Sequence, residues 1–103
     1  MKLQTKGMEL LSEKEKQIAD RLLNEYYEKI KRQIKNDFTL KVNFKEYEKD
    51  GKNKKYSIDA EIIFPGKKFS ASDYDWDFAR ALHKVMIKFV NQIEHKFHIS
   101  EQK

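Results

Sequence analysis

The chain has 103 residues, of which 38% are charged, and its formal net charge is +5. This length fits one domain, and the absence of cysteine excludes disulfides and thiol chemistry and suits a reducing cytoplasm. Aromatic residues make up 13% of the chain and argue against disorder, and no apolar run has the length of a membrane span or signal peptide. We therefore expect a small, basic, folded protein of the cytoplasm.

The amino-terminal third predicts a short edge strand and a long amphipathic helix. A weak alternation over residues 3–5 precedes Gly7, and Ser12 and Glu15 have the spacing of a capping box. Apolar residues then recur every fourth position, which predicts a helix from about Glu13 to Lys35. Its last turns carry four cations, which also favour the negative end of a helix dipole: Lys29, Lys31, Arg32 and Lys35.

The apolar period then changes to that of β-strands. Residues 38–45 and 56–64 alternate as two half-buried strands, joined by a lysine-rich loop over residues 49–55 that contains an Asp-Gly turn signal. Pro65-Gly66 reverses the chain into a third short strand, in which Phe69 and Ala71 face the core. The order of these elements predicts an antiparallel hairpin followed by one more strand.

The parity of the apolar residues predicts the strand register. Pairing Phe44 with Ile58 keeps the apolar side chains of both strands on one face and sets Lys41 opposite Glu61. The same parity pairs Val42 with Ala60, Leu40 with Ile62, and Phe69 and Ala71 with Ile62 and Ala60. The other face carries polar side chains of both signs, which make it a poor polyanion site: Thr39, Lys41, Asn43, Lys45, Ser57, Asp59 and Glu61.

A second long helix is predicted from Tyr74 to about Phe97. Its apolar stripe consists of Phe78, Leu82, Met86, Phe89, Ile93 and Phe97. Rotated by about half a turn runs a polar stripe of Arg80, Lys84, Lys88, Gln92 and His95. Such a stripe is most often a solvated face, but here it is also a candidate binding surface. Three acidic residues over 73–77 suit the positive end of the helix dipole.

These elements predict an α+β fold of the order βαβββα. Two amphipathic helices pack on the apolar face of a mostly antiparallel four-stranded sheet, and water covers the other face. We expect a single domain over residues 1–98 and a short carboxy-terminal tail over residues 99–103.

The candidate chemistry in the sequence is weak. Asp73, Asp75 and Asp77 have calcium-loop spacing, but Phe78 and Lys84 stand where the loop requires Gly and Glu. His95 and His98 lack a third metal ligand, and no phosphate-binding loop or nucleophile elbow is present. We expect no catalytic residues, no metal, no cofactor and no small-molecule substrate.

The order αβββα is shared with double-stranded RNA-binding domains. Those domains grip phosphates with a lysine-rich start to the last helix. Here the predicted last helix starts with three Asp residues, which would repel phosphate, and this disfavours the interpretation.

Several segments in order follow another family pattern. Gly7 with Leu10-Leu11-Ser12 matches its first helix start, and Ile18-Ala19-Asp20-Arg21-Leu22 matches the helix that follows. Pro65-Gly66 through Ala71 matches its turn and small-residue strand, and residues 77–82 and 87–93 match its last helix. Over residues 3–96 the chain thus resembles the short-form ribosome hibernation-promoting factors, the family that includes ribosome-associated inhibitor A.

This resemblance implies a βαβββα fold and binding in the mRNA and tRNA channel of the small ribosomal subunit. Basic residues of both helices would contact ribosomal RNA, and the bound protein would inhibit translation in dormant cells. The protein would be cytoplasmic, monomeric off the ribosome and independent of membranes. Arg21, Lys88 and Gln92 match the family's contacts best. The full set of candidates is Arg21, Lys31, Arg32, Lys35, Arg80, Lys84, Lys88, Gln92, His95 and Lys96.

Four departures from the family pattern shift the expected contacts. Asn24 and Tyr27 stand at basic positions, Ala79 replaces a Tyr, and Asn91 replaces an Arg. Arg80, Lys84 and the lysine loop are then alternative contacts, and changing Arg80, Lys84 and Lys88 to Glu is expected to abolish binding without disturbing the fold. The alternative function is a protein-interaction or RNA-binding module outside the ribosome, whose basic face is only solvated.

Overall fold

A computed structural model of the chain describes residues 2–49 and 53–98. It contains four strands and two helices in the predicted order, with one turn of 3-10 helix at Met8–Leu10. The strands are β1 (Leu3–Lys6), β2 (Thr39–Lys49), β3 (Asn53–Phe64) and β4 (Lys67–Asp75), and the helices are α1 (Glu13–Ile34) and α2 (Phe78–His98).

The sheet has the order β1-β2-β3-β4, with β1 parallel to β2 and the other pairs antiparallel. The predicted register is confirmed, because Phe44 pairs with Ile58 and Lys41 pairs with Glu61. Pairing of Phe69 with Ile62 and of Ala71 with Ala60 is confirmed as well. A shift by one residue would turn every apolar side chain of a strand away from the core, so burial of one face determines the register.

Both helices cover the same face of this sheet. The apolar side chains of β2 and β3 meet those of α1 and α2 in one continuous core, in which Leu40, Ile58, Leu82 and Phe89 are completely buried. Burying a side chain of this size contributes about 1.5–3 kcal/mol. The two helices run in the same direction, since Tyr26 contacts His83 and, farther along both helices, Gln33 contacts Glu94.

The predicted capping box at the start of α1 is present. Ser12 N donates to Glu15 Oε1 at 3.0 Å, and Glu15 N donates to Ser12 Oγ at 3.2 Å. The other oxygen of Glu15 accepts a 2.6 Å hydrogen bond from Tyr56 Oη on β3. Burial and this hydrogen bond raise the pKa of Tyr56 well above its ordinary value. The first turn of α1 is thus attached to the sheet by a neutral donor and a carboxylate.

The start of the last helix differs from the prediction. Tyr74 and Asp75 belong to β4, and α2 begins at Phe78. Only Asp77 acts at the helix start, where its Oδ2 accepts from the backbone N–H of Arg80 at 2.9 Å. Asp73 and Asp75 are strand residues whose side chains face α2, and this is why the alternation of β4 was hidden in the sequence.

The connection between β2 and β3 is shorter than predicted, because residue 49 ends β2 and Lys54 and Lys55 belong to β3. The Asp-Gly turn signal and the expected tail over residues 99–103 lie outside the described residues. The domain boundary at residue 98 therefore stays a prediction.

Candidate nucleic-acid interface

The polar stripe of α2 lies along β4, the outer strand of the sheet. Lys88 Nζ is 3.1 Å from an oxygen of Asp73, and Lys84 Nζ is 3.2 Å from Asp75 and 3.5 Å from Asp73. Arg80 Nε lies 3.5 Å from Asp75. Three cations that the sequence predicts as RNA contacts are therefore paired with two carboxylates of the neighbouring strand.

Side chains of the same stripe also bond backbone carbonyls of β4. Lys84 Nζ donates to the carbonyl of Tyr74 at 2.9 Å, Lys88 Nζ to that of Ser72 at 2.8 Å, and Gln92 Nε2 to that of Ser70 at 3.1 Å. An outer strand presents every second carbonyl away from the sheet, where another strand can pair with it. The stripe occupies three such carbonyls in a row and so covers this edge of the sheet.

The electrostatics of the two Asp residues agree with this geometry. A hydrogen bond from the backbone N–H of Asp77, together with Lys84 and Arg80, lowers the pKa of Asp75. Burial opposes ionisation of Asp73, but the backbone N–H of Tyr74 and the Lys88 ammonium outweigh it and lower the pKa of Asp73. The hydrogen bond to Asp75 in turn raises the pKa of Lys84. Both carboxylates are therefore ionised at neutral pH.

This pairing changes one expectation about the stripe. Changing Arg80, Lys84 and Lys88 to Glu would set three carboxylates against Asp73 and Asp75 and would remove the donors to the edge of β4. We therefore expect such a variant to disturb the packing of α2 on β4, so loss of binding in it would not identify a contact.

The cations of α1 have a different environment. Arg21, Lys31, Arg32 and Lys35 are all exposed, and no ion pair joins any of them to a carboxylate among residues 2–49 and 53–98. Lys35 ends the helix in the left-handed conformation, with φ 59°. Glycine is the usual residue at such a helix end because a Cβ atom is strained there. A lysine at this position keeps a positive charge at a strained site.

Further cations gather where the two helices end. Gln33 Nε2 lies 3.5 Å from Glu94 Oε1, which places the last turns of α1 next to the last turns of α2. His95 and Lys96 are exposed there, and the neighbouring Lys96 ammonium lowers the pKa of Lys67 at the start of β4. We call Lys31, Arg32, Lys35, Lys67 and Lys96 the basic end.

The family departures have structural consequences at two positions. Tyr27 is buried against Phe38, with ring centroids 4.7 Å apart, and its hydroxyl accepts from the backbone N–H of Lys2. It is a core residue and does not reach a ligand from this position. Asn24 is exposed, and its amide donates to the carbonyl of Asp20 within the same helix.

The sequence did not predict a group of exposed aromatic residues at the other end of the sheet. Tyr47, Tyr74 and Trp76 are each about half exposed, with Lys55 beside them on β3. In the sequence, the acidic residues around Tyr74 and Trp76 favour a helix start, and the charges of the polar face give no sign of these rings. Extending the alternation of β3 and β4 to residue 75 would have placed Tyr74 on the open face.

Two features that would indicate a different kind of function are absent from the described part of the chain. No group of three or more His, Cys, Asp or Glu side chains in it is arranged to hold a metal ion. None of its helices is long and apolar enough to cross a membrane.

Known structures share this fold. The N-terminal domain of Protein Y from Thermus thermophilus is 15% identical, with 91% of this chain and 93% of that one covered and a TM-score of 0.58. A ribosomal subunit interface protein from Coxiella burnetii is 19% identical, with 100% of both chains covered and a TM-score of 0.56. Neither protein-family models nor curated protein sequences give a match. The chain thus has the fold of these two proteins.

Proposed function

We propose that this protein is a ribosome-associated factor that binds ribosomal RNA of the small subunit and inhibits translation, as the hibernation-promoting family does. The observation that carries the proposal is the agreement of fold, over the whole of both chains, with a protein described as a ribosomal subunit interface protein. The ordered sequence resemblance over residues 3–96 supports it independently. The protein would act in the cytoplasm without a cofactor and without a chemical reaction.

The geometry favours the basic end and Arg21 as the surface that meets RNA. Their cations are exposed and lack carboxylate partners among the described residues, so RNA phosphates can approach without breaking an ion pair. Arg80, Lys84 and Lys88 already neutralise Asp73 and Asp75 and hold α2 to β4. We assign these three residues and Gln92 a secondary part in RNA contact, while His95, next to Lys96, joins the primary surface.

The proposed mechanism is electrostatic and steric. Cations that replace counterions along RNA phosphates gain free energy from counterion release, and this gain falls steeply as the salt concentration rises. Contacts to phosphates and to the shape of folded RNA do not read bases, so the specificity would come from the arrangement of the RNA on the subunit. The folded domain then occupies space that mRNA and tRNA need.

Sedimentation through sucrose gradients tests this proposal. Purified small subunits are mixed with the protein or with Lys31→Glu/Arg32→Glu, and co-migration is measured at low and moderate salt. We expect the wild-type protein to co-migrate in a salt-sensitive manner and to be displaced by mRNA and initiator tRNA. The variant should lose binding, and the slope of log affinity against log salt should decrease by about one for each cation removed.

The matched control is Lys6→Glu/Lys14→Glu, which makes the same change in net charge at exposed positions away from the basic end. It should bind nearly as well as the wild type. Equal losses in both variants would show that net charge alone drives the association and would reject the basic end. Absence of the wild-type protein from every ribosomal fraction at low salt would reject the ribosomal function itself.

A further inference from the structure

Three large aromatic side chains are exposed at the end of the sheet where β2 ends and β3 begins. Tyr47 is 53%, Tyr74 54% and Trp76 51% exposed, whereas Leu10 and Ile87, the other large apolar side chains exposed in the described residues, lie elsewhere. An aromatic ring that packs in a core gains about 1.5–3 kcal/mol from burial. Because these three rings are about half exposed, they gain only part of this free energy of burial. Stabilisation of the fold therefore does not explain three exposed aromatic residues at one end of the sheet.

The strand register puts two of these rings, Tyr47 and Tyr74, on the open face. Tyr47 on β2 is paired with Lys55 on β3, and Tyr74 on β4 is paired with Ser57, two residues farther along β3. Neighbouring strands are about 4.8 Å apart. Tyr47 on β2 and Tyr74 on β4 are separated laterally by two such spacings. Trp76 follows directly after β4. We call Tyr47, Lys55, Tyr74 and Trp76 the aromatic platform.

Cations are placed against the central ring. Lys55 Nζ lies 4.1 Å from the centroid of the Tyr74 ring, and Lys84 Nζ lies 5.8 Å from it. Lys84 is held in place by Asp75 and by the carbonyl of Tyr74, so its position beside the ring is defined before any ligand arrives. A ring with an ammonium group at its face or edge offers both a stacking surface and a partner for the phosphate next to a stacked base.

The rest of the open face lacks this combination. Lys45 is paired with Asp59 at 3.1 Å, and Lys68 with Glu61 at 3.1 Å, so the middle of the face carries ion pairs between neighbouring strands. The platform instead combines exposed rings with a lysine over one of them. The net charge of +5 also favours a polyanion.

We propose that the aromatic platform binds a short segment of single-stranded RNA by stacking bases on Tyr47, Tyr74 and Trp76, with Lys55 next to the backbone phosphates. Exposed aromatic residues on a sheet surface bind unpaired bases in this way, and they do so with little sequence preference. Tyr47, Lys55 and Tyr74 lie on the face of the sheet opposite the helices and at the end away from the basic end, and Trp76 follows β4 at that same end. This site is therefore separate from the proposed contact with the small subunit, and each can be lost without the other.

Fluorescence measurements with the full chain test the platform. A short oligouridylate with a fluorescent label is titrated with protein at low salt and its anisotropy is followed, and quenching of Trp76, the single tryptophan of the chain, reports base stacking directly. We expect Tyr47→Leu/Tyr74→Leu to weaken binding by roughly a hundredfold or more, since two stacking rings are lost and each stacked base contributes about tenfold or more in affinity. Tyr47→Phe/Tyr74→Phe keeps both rings and should bind within about twofold of the wild type.

Two control variants distinguish base stacking on the platform from general apolar or charge-driven binding. Ile87→Ala removes an equally exposed apolar side chain from α2 and should leave oligouridylate binding unchanged. Lys31→Glu/Arg32→Glu should retain it while losing the small subunit. The proposal is overturned if the Leu variant binds like the wild type, if the Phe variant loses binding as fully as the Leu variant, or if an oligoglutamate peptide competes as well as RNA does.

Discussion

Both helices carry several Lys and Arg residues, but among the described residues only those of α2 bond to the sheet. On α2, Lys84 and Lys88 lie within 3.5 Å of Asp73 and donate to carbonyls of β4. On α1, Lys31 and Arg32 are exposed and form no ion pair with a carboxylate of the described residues. The first set fastens a helix to an outer strand and protects that strand from pairing, whereas the second set contributes little to the fold and is available to a ligand.

The attachment of α1 uses other groups. Its core residues pack on the sheet, Glu15 accepts a hydrogen bond from Tyr56, and the hydroxyl of Tyr27 accepts one from the backbone of Lys2. Because these contacts are apolar or involve neutral donors, they remain when the charges on the exposed side of α1 are changed. A cationic stripe on a helix therefore has to be judged by what lies beside it.

The largest expected effect is the difference in stability between two variants, each with one charge reversed, on α2 or on α1. Lys88→Glu replaces an ion pair with two carboxylates near one another and removes a donor to Ser72, so the free energy of unfolding should fall by about 1–2 kcal/mol. Arg32→Glu should lower it by less, about 0.3–1 kcal/mol, because it loses only the interaction of this cation with the helix dipole. Urea denaturation followed by circular dichroism measures both. Equal losses would mean that α2 is not held by this contact.

A change at the end of α1 should separate stability from binding. Lys35→Gly relieves the left-handed backbone, so the free energy of unfolding should rise by about 0.5–1 kcal/mol, while binding to the small subunit weakens with the loss of one cation. Lys35→Ala loses the same cation but keeps the strain, and it should weaken binding without the gain in stability. Unfolding in urea and sedimentation with subunits measure the two effects. A glycine variant that binds as well as the wild type would remove Lys35 from the interface.

The smallest expected effect is the response of α2 to acid. The folded protein lowers the pKa of Asp73 and Asp75, so their contribution to stability is present above the ordinary Asp pKa of about 3.9 and is lost as the pH falls through the lower values of the folded state. Asp73→Asn/Asp75→Asn should be less stable at neutral pH but should lose less stability between pH 5 and about pH 2.5. Urea midpoints across this range test the difference. Parallel curves for both proteins would contradict it.

Periodicity and parity were sufficient to predict most of the fold. The capping residues Ser12 and Glu15, together with the apolar residue at every fourth position, predicted α1 to within one residue of its end. The alternation around Phe44 and Ile58 predicted the register of the central hairpin. These features depend on residues close in sequence or on burial of one face, and both leave a direct trace in the order of apolar and polar residues.

The candidate site was predicted less well, because it depends on contacts between elements. Asp73 and Asp75 occupy core-side positions of β4, where a strand usually carries apolar residues, and their partners there are the cations of α2. Without those partners in view, the acidic residues were interpreted as a helix start. The same error concealed Tyr74 and with it the aromatic platform.

The sequence alone determined the order βαβββα, the apolar face of each element and the positive net charge, since each follows from local spacing or composition. Only the tertiary structure decided which cations are neutralised and which are available. That distinction depends on distances of 3–4 Å between α2 and β4, which are set by the packing of the helix against the sheet. An identical row of lysines on a helix is part of the fold when a strand with carboxylates lies beside it, and is open to a ligand when it faces water.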